Sequence, residues 1–233
     1  MKPVAIIPAR GGSKRIPKKN IRHFNGTPLL GRAVTVGLDS GLFESVVVST
    51  DDPKIAEIAT FYGADVPCLR PADLSGDFVG TVAVVADMVG ALECSGDQAV
   101  CCLYATTPLL NPHDLVMSYE KFRASSSDYC IAATSFDFPV QRAFEVISGK
   151  CCLANPEFEF TRSQDLTELF HDAGAFYWAK SSVWMTKKSM YAQNSIPYLL
   201  PRHRVQDIDT EEDWIRAELM FEVNRLYESR GQS

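Results

Sequence analysis

The chain has 233 residues, 46% of them hydrophobic and 22% charged, which is enough to bury a substantial core as one domain. A formal net charge of -6 argues against general nucleic-acid binding, and no apolar run is long enough to span a bilayer. Seven cysteines occur without a Cys-x-x-Cys pair, which argues against a cysteine-based zinc site and favours reduced, packed thiols in a cytoplasmic protein.

The first predicted element is a short apolar strand that leads directly into a cationic loop. Residues 4–10 predict the buried strand, and residues 11–20 begin with two glycines and carry several Lys and Arg side chains. Eight of the 23 Lys and Arg residues lie in the first 38 positions, which hold no acidic residue. Glycine lets backbone N–H groups approach a ligand closely, and Arg10, Lys14 and Lys19 favour a polyanion. The loop therefore predicts binding of a nucleotide triphosphate.

Helical and strand patterns alternate along most of the remaining chain. Thr27 has the character of an N-cap, followed by proline at the first helical position, and Gly63 has the character of a C-terminal cap. The predicted helices cover residues 28–38, 53–62, 81–93, a segment that starts at residues 111–112, and 210–227; the predicted strands cover residues 46–50, 65–69, 99–104, 129–134 and 175–178. This alternation predicts an α/β fold with a mostly parallel sheet covered on both faces, in a single domain over residues 1–233.

The alternation fails between about residues 136 and 172, where polar and aromatic residues show weak periodicity. An irregular stretch of this length is often functional. We interpret it as an inserted arm or hairpin that covers a substrate or contacts a second subunit.

Several polar residues follow predicted strands, where ligands bind in open α/β sheets. The opening loop matches neither G-x-G-x-x-G nor G-x-x-x-x-G-K-[ST], so a solvated basic loop is the alternative interpretation. Arg70 suits a phosphate or sugar contact, or else a surface salt bridge. Ser75 and Thr81 offer hydroxyls to a base or ribose, although Thr81 equally suits the cap of its helix.

Asp207 and Asp209 form the second concentrated signal. On a strand, their side chains would point to one face and Ile208 to the other. Two close carboxylates repel each other unless a cation or proton intervenes, and Mg²⁺ suits them because it prefers oxygen ligands and often bridges to phosphates. In the alternative interpretation, Asp209 caps the next helix. Asp207 would then pair with Arg202 or Arg204.

Four sequence blocks occur in a characteristic order. They are Ile-Pro-Ala-Arg-Gly-Gly-Ser-Lys-Arg-Ile-Pro-Lys-Lys-Asn at 7–20, Val-Ser-Thr-Asp-Asp at 48–52, Leu-Arg-Pro-Ala-Asp-Leu at 69–74 and Gln-Asp-Ile-Asp-Thr-Glu-Glu-Asp at 206–213. Several blocks in one order are more specific than any one of them. On these residues the chain resembles, from residue 4 to about residue 218, the cytidylyltransferases that activate nonulosonic acids, the family of CMP-N-acylneuraminate synthetases.

Further segments resemble the pseudaminic acid branch of that family. They are Tyr-Ala-Thr-Thr-Pro at 104–108, Pro-Val-Gln-Arg-Ala at 139–143, Arg-Ser-Gln-Asp-Leu at 162–166, and His-Asp-Ala-Gly at 171–174 with Phe-Tyr-Trp at 176–178. Sialic acid enzymes typically carry glutamine in place of Tyr104 and lysine near Gln141, so both positions count against N-acetylneuraminate. Ala175 departs from the glutamine expected in the pseudaminic branch.

The resemblance implies a three-layer, Rossmann-like nucleotidyltransferase fold in which residues 136–172 form a small dimerisation arm. It implies transfer of CMP from CTP to the anomeric hydroxyl of a nonulosonic acid, with Mg²⁺ as cofactor and a homodimer as the assembly, and with no nucleic acid or membrane partner. The implied catalytic residues are Arg10, Lys19, Asp207 and Asp209, of which Asp207 and Asp209 hold the metal. The implied nucleotide contacts are Ala9, Arg10, Gly11, Gly12, Ser13, Lys14, Lys19, Asn20, Arg70, Ser75 and Thr81. The implied sugar contacts are Tyr104, Gln141, Arg142, His171, Asp172 and Phe176.

Three alternatives stay open. The first is the same chemistry on N-acylneuraminate, legionaminate or Kdo. The second is a glycosyltransferase whose paired aspartates bind a nucleotide-sugar through a metal. The third is a non-catalytic nucleotide sensor or polyanion-binding module, which the basic loop supports but which leaves Asp207 and Asp209 unexplained.

Overall fold

A central sheet organises the part of the chain that this computed structural model describes, residues 1–191 and 193–230. The strands are β1 (Val4–Pro8), β2 (His23–Phe24), β3 (Thr27–Pro28), β4 (Ser45–Ser49), β5 (Ala99–Leu103), β6 (Tyr129–Ser135), β7 (Phe144–Ile147), β8 (Lys150–Leu153), β9 (Phe170–Lys180) and β10 (Ser195–Leu199). The α-helices are α1 (Leu29–Asp39), α2 (Pro53–Phe61), α3 (Thr81–Ala91), α4 (Pro112–Arg123), α5 (Ser181–Met185) and α6 (Glu211–Arg230). Within the described residues, no helix combines the length and apolar character that crossing a membrane requires.

The sheet has the strand order β10-β6-β9-β5-β1-β4. β1 runs parallel to β4 and β5, and β10 runs parallel to β6, whereas β9 is antiparallel to both of its neighbours. The predicted mostly parallel sheet is therefore confirmed. The loops after β1, β4 and β5 and the beginning of β9 meet at one edge, because parallel strands end together and β9 starts where they end.

Helices cover both faces of the sheet, as its apolar strands require. Successive residues of β1 alternate between the faces: Ala5 and Ile7 pack with α1, α2 and α4, whereas Val4 and Ile6 pack with α3 and α5. All four side chains are 5% exposed or less. The expected three-layer α/β architecture is confirmed.

A third, smaller apolar cluster joins the two halves of the sequence. Its buried members are Ile16, Phe24, Leu29, Ile208, Trp214 and Ala217. They come from the opening loop, β2, the start of α1, the segment before α6, and α6 itself. This cluster places the predicted acidic segment next to the opening loop.

Local capping signals located some helix ends correctly. Asp52 accepts a hydrogen bond from the backbone N–H of Lys54 (2.8 Å) and caps α2, and Gly63 beyond that helix has a φ of 93°. Asn111 forms a capping box with Asp114 at the start of α4.

Three expectations about elements were wrong. Thr27 does not cap α1, because Thr27 and Pro28 pair with β2 as a short hairpin and the helix begins at Leu29. Residues 65–69 form no strand, although Asp65 makes an isolated parallel bridge with Val47. Residues 205–209 are irregular.

β9 is much longer than the predicted segment at residues 175–178, and it is bulged. Ile131 of β6 pairs with Tyr177 of β9, and Ala133 of β6 pairs with Asp172 of β9. A step of two positions along β6 therefore corresponds to a step of five positions along β9. Gly174, inside the bulge, has a φ of 58°, which glycine adopts without a steric cost. Such bulges change the direction in which side chains point near active sites.

The irregular stretch at residues 136–172 contains the antiparallel β7–β8 hairpin, whose side chains are mostly exposed. Cys151 and Cys152 lie exposed on β8 and Cys68 is exposed elsewhere, so the expectation that the thiols are packed is wrong for them. That expectation is confirmed for Cys101, Cys102 and Cys130, which are buried in the central sheet.

Candidate active site

A cavity of about 260 Å³ lies at the carboxyl edge of the sheet, between the opening loop and the start of α3. The expected site residues that line it are Arg10, Ser13, Lys14, Lys19, Asn20, Arg70, Thr81 and Tyr104. This is the edge at which ligands bind in open α/β sheets. The structure therefore brings most of the predicted nucleotide contacts to one place.

Hydrogen bonds hold the opening loop against the end of β4. The Ala9 N–H donates to the Ser49 carbonyl (2.9 Å), and Asn20 Nδ2 donates to the Arg10 carbonyl across the loop (2.9 Å). The Ala9 side chain is buried in the core, so any ligand contact there would be through its backbone. The loop is fixed by the fold itself.

The two glycines of the loop have different roles. The Gly11 N–H donates to Asp51 Oδ1 (3.0 Å), and a Cβ at Gly11 would lie 2.7 Å from Asp52 Oδ2. Packing against the cap of α2 therefore requires glycine at position 11, and its N–H is paired with Asp51, so a nucleotide contact by Gly11 stays a prediction. A Cβ at Gly12 would meet nothing within 4 Å.

Asp77 forms ion pairs with two cations of the loop. Arg10 Nη1 lies 2.7 Å from Asp77 Oδ1, and Lys14 Nζ lies 2.5 Å from Asp77 Oδ2. Hydrogen bonds from Lys14 and Arg10 hold the pKa of the Asp77 carboxyl group below its ordinary value. A carboxylate thus occupies the position next to these cations that phosphate oxygens would take.

Arg70 is a buried cation in the cavity wall, with 7% of its surface exposed. Its Nη2 donates to the Ser49 carbonyl (3.0 Å), while its Nε has no hydrogen-bond partner among the described residues. Burial lowers the pKa of the Arg70 guanidinium, and the negative charge of Asp51 offsets part of this shift by raising that pKa. The alternative of a surface salt bridge is wrong, and the arrangement suits an anionic ligand.

Thr81 and Tyr104 present neighbouring hydroxyls to the same cavity, 2.8 Å apart. Burial raises the pKa of Tyr104 to about 12, so its hydroxyl stays protonated at neutral pH. Tyr104 was expected on the sugar side; the structure places it beside the expected nucleotide contacts instead.

A second cavity of about 420 Å³ contains the acidic residues. Its lining includes His171, Asp172, Asp207 and Asp209. His171 is exposed, and its Nδ1 lies 2.8 Å from the Asp172 carbonyl. Two expected sugar contacts and both expected metal ligands therefore share one cavity.

Basic side chains of the opening loop reach the acidic segment. Lys19 Nζ lies 2.5 Å from the Ile208 carbonyl and 3.4 Å from Asp209 Oδ1, and Arg15 Nη1 lies 2.7 Å from Asp209 Oδ2. Lys19 also lines the first cavity, and Asp209, which it contacts, lines the second, so this side chain lies between the two cavities. The expected juxtaposition of the cationic loop with the two carboxylates is present.

The acidic segment alternates between accessible and buried side chains although it does not form a strand. Ile208 is fully buried, while Asp207 and Asp209 on either side of it are accessible. Desolvation raises the pKa of Asp207, and the nearby charge of Asp209 raises it further. The two carboxylates are thus close enough to repel each other.

The alternative roles for the two acids are wrong. Arg204 pairs with Asp114 and Arg202 pairs with Asp137, so neither pairs with Asp207. The cap of α6 is formed by Thr210 and Asp213, because Thr210 Oγ1 accepts from the Asp213 N–H (3.2 Å) and Asp213 Oδ2 accepts from the Thr210 N–H (2.8 Å).

Several expected contacts lie outside both cavities. Ser75 Oγ donates to the Pro71 carbonyl (2.9 Å), and Phe176 is fully buried against Tyr198 in the core. The expectation of a direct sugar contact is wrong for the Phe176 side chain, because it does not reach the surface. Gln141 and Arg142 lie in the segment before the β7–β8 hairpin, where they bond to carbonyls of that same insertion.

Sequence reasoning missed four residues of this region. Arg15 belongs to the loop already singled out, and Asp77 lies between two glycines shortly after Arg70, so both had a positional signal. Tyr177 and Tyr191 had none, because their roles depend on the bulge in β9 and on a distant loop.

The geometry defines a class of protein before any relative is considered. A doubly covered, mostly parallel sheet with a cationic loop and a buried arginine at its carboxyl edge is a doubly wound α/β fold whose edge suits an anionic ligand. The structure of CMP:2-keto-3-deoxy-manno-octonic acid synthetase complexed with CTP has this fold. It superimposes with a TM-score of 0.72 at 16% identity, over 96% of this chain and 100% of that one.

The family follows from sequence comparison. Residues 4–221 match the family described as Cytidylyltransferase, so the chain belongs to the cytidylyltransferase family and is a nucleotidyltransferase. The pseudaminic acid cytidylyltransferase of Campylobacter jejuni is 44% identical over 227 residues, covering 96% of this chain and 98% of that protein. The CMP-N,N'-diacetyllegionaminic acid synthase of Legionella pneumophila is 32% identical, covering 97% of this chain and 98% of that protein.

Proposed function

We propose that the chain transfers the CMP group of CTP to the anomeric hydroxyl of pseudaminic acid, a nonulosonic acid, and releases pyrophosphate. The observation that carries this proposal is the 44% identity over 96% of the chain to the Campylobacter jejuni enzyme, against 32% to the legionaminic acid enzyme. Tyr104 and Gln141 support the same choice of sugar, because both depart from the residues typical of sialic acid enzymes.

The first cavity supports the binding of the triphosphate. Arg10, Lys14 and Arg70 supply positive charge there, and the loop that carries the first two is held by backbone hydrogen bonds. In this reaction the sugar oxygen attacks the α-phosphorus while negative charge moves onto the leaving pyrophosphate. Fixed cations stabilise such charge without first having to reorganise.

Asp207 and Asp209 fit a Mg²⁺ ion. Among the described residues, no group of three or more His, Cys, Asp or Glu side chains could hold a metal, but Mg²⁺ commonly takes only one or two carboxylates and completes its shell with phosphate oxygens and water. Their mutual repulsion is the electrostatic situation that a cation relieves. When bound there, Mg²⁺ supplies positive charge that offsets the charge of the phosphates.

The second cavity suits the acceptor sugar. Lys19 lies between this cavity and the first, so the sugar hydroxyl and the α-phosphate can approach each other near this side chain. Asp172 and His171 offer polar groups to a sugar in this cavity. The chain itself thus binds and orients both reactants.

The insertion supports a homodimer. Its β7 strand exposes Phe144, Val146 and Ile147, with more than half of each side chain accessible, and such a surface suits contact with a second copy. This contact would place Gln141 and Arg142 near the neighbouring copy's site. A cytoplasmic location belongs to the same proposal.

The decisive experiment is a panel of acceptor sugars. The protein is incubated with CTP, Mg²⁺ and one of pseudaminic, legionaminic, N-acetylneuraminic or 2-keto-3-deoxy-manno-octonic acid, and pyrophosphate release is followed. We expect the highest kcat/KM with pseudaminic acid and no release without a sugar. A higher kcat/KM with legionaminic or N-acetylneuraminic acid would move the assignment to that sugar, and release with none of them would contradict the proposal.

A further inference from the structure

Three hydrogen bonds hold the Asp172 carboxylate in one orientation. Tyr177 Oη donates to Asp172 Oδ2 at 2.6 Å, and Tyr191 Oη donates to the same oxygen at 2.7 Å. The Gly174 N–H donates to Oδ1 at 2.8 Å. The carboxyl group therefore cannot rotate without breaking at least one of these bonds.

The bulge in β9 creates this arrangement. In a regular strand, Asp172 and Tyr177 would point to opposite faces of the sheet, because they are an odd number of residues apart. The bulge around Gly174 removes that alternation and brings the phenol and the carboxylate together. The orientation of the Asp172 carboxylate therefore depends on the positive φ of Gly174.

The two tyrosines reach Asp172 from different surroundings. Tyr177 is 1% exposed, and its ring centroid lies 5.3 Å from that of Tyr104 in the wall of the first cavity. Tyr191 is 64% exposed and comes from the segment between α5 and β10. Partial burial, followed by the hydrogen bond to Asp172 and then its charge, raises the pKa of Tyr191. Burial raises the pKa of Tyr177 well above its ordinary range, so both hydroxyls stay donors at neutral pH.

The Asp172 carboxylate retains capacity for one more donor. An ionised carboxylate accepts about four hydrogen bonds, and three are made within the protein. Asp172 lines the second cavity together with Asp207, and a Cβ at Gly174 would lie 3.7 Å from Asp207 Cγ. The Asp172 carboxylate therefore lines the same cavity as the two expected metal ligands, Asp207 and Asp209.

We infer that Tyr177 and Tyr191 are positioning residues that fix Asp172 to accept a hydrogen bond from an O–H or amide N–H of the acceptor sugar. This inference rests on the proposed function, since it concerns the sugar half of that site. The tyrosines act through Asp172 and touch neither reactant in the role assigned here.

The test uses Tyr177→Phe and Tyr191→Phe, which remove one hydroxyl each and keep the ring. At saturating CTP, we expect each to raise the KM for the sugar by about tenfold, the effect of losing a hydrogen bond to a charged group. The KM for CTP should stay within about twofold of the parent value, because the ring of Tyr177 still supports Tyr104. In an Asp172→Asn background, either change should have little further effect on the KM for the sugar.

Tyr198→Phe is the matched control. Tyr198 also bonds to an aspartate, Asp114, whose charge contributes to raising the pKa of the phenol, but Asp114 lies in neither cavity. This variant should leave both KM values unchanged. Tyr191→Phe alters an exposed residue, so it still gives a result if Tyr177→Phe fails to fold.

Two results would overturn the inference. One is an equal increase in the KM values for sugar and for CTP in the Tyr→Phe variants, which would show that the whole site is disturbed. The other is a full additional effect of the Tyr→Phe changes in the Asp172→Asn background. Failure of the proposed function is a separate outcome, because it would be seen as absent pyrophosphate release by the parent protein with every sugar.

Discussion

Asp77 holds two of the cations that the opening loop presents to the first cavity. Its contacts with Arg10 and Lys14 must break if phosphate oxygens are to take its place. Because hydrogen bonding lowers the pKa of this carboxyl group, the contacts persist at neutral pH and are lost only as the pH falls through that lowered pKa. In the proposed function, Asp77 would therefore compete with the triphosphate throughout the neutral range.

We predict that Asp77→Asn binds CTP about two- to fivefold more tightly, the scale of an exposed ion pair. Calorimetric titration with CTP at neutral pH measures this change. Asp73→Asn is the control, because it removes the same charge from the neighbouring turn, outside the Asp77 contacts. Weaker binding by Asp77→Asn would mean that Asp77 organises the loop instead of competing with the ligand.

Asp209 is one of the two expected metal ligands, and it can be tested by a single substitution. Asp209→Asn should raise the Mg²⁺ concentration for half-maximal activity by about tenfold or more, since even an outer-shell change near a metal costs that much affinity. A Mg²⁺ titration of pyrophosphate release checks it. Glu211→Gln is the control, because Glu211 is a nearby acid that pairs with Arg22 (2.6 Å). An unchanged Mg²⁺ requirement in Asp209→Asn would remove Asp209 from the metal site.

At the scale of elements, the opening loop and α2 are fitted to each other. Gly11 packs against Asp52, the cap of α2, and donates to Asp51. The sequence made the glycines of this loop visible but did not distinguish between them. The distinction appears only when β4 and α2 are placed beside the loop.

We predict that Gly11→Ala lowers the free energy of unfolding by about 1 kcal/mol or more, because its Cβ displaces the capping side chain of Asp52. Gly12→Ala is the matched control, since its Cβ meets nothing within 4 Å, and its free energy of unfolding should be close to that of the parent. Urea denaturation of both variants measures the difference. Equal destabilisation by the two would contradict this account of Gly11.

Helix caps and strand pairing differ in how far the sequence reveals them. The caps formed by Asp52 and Asn111 are local features, because the groups they bond are within three residues along the chain. Thr27 looked like a cap of the same kind but pairs with Phe24, and no local signal separates these outcomes. The bulge in β9 was invisible for the same reason, since it depends on the register with β6.

At the scale of the whole molecule, the third apolar cluster determines whether there is one site. Trp214 of α6 packs edge-on to Phe24, with 5.7 Å between the ring centroids. The guanidinium of Arg22 lies 4.1 Å from the centre of the Trp214 ring. Ile208, between the two acids, is buried in the same cluster. The Asp209 carboxylate therefore reaches Lys19 because apolar residues from both ends of the sequence pack together.

We predict that Trp214→Leu lowers the free energy of unfolding by about 2 to 4 kcal/mol and also raises the Mg²⁺ requirement, because the acidic segment loses its support. Trp184→Leu is the control: Trp184 is also fully buried, but it packs with α3 and the far side of the sheet. It should cost similar stability without changing the Mg²⁺ requirement of the folded protein. Thermal unfolding and Mg²⁺ titration below the melting temperature separate the two effects, and a similar Mg²⁺ shift in both variants would contradict this role of the cluster.

The sequence by itself determined the α/β class, the cationic loop, the acidic pair and the family, because each is written in local patterns or in blocks of fixed order. Only the tertiary structure decided that Asp77 pairs with two cations of the loop, that Gly11 packs against a helix cap, that Phe176 is buried and that Asp172 is held by two tyrosines. These facts depend on strand register and on contacts between distant segments, which hydrophobic periodicity does not encode.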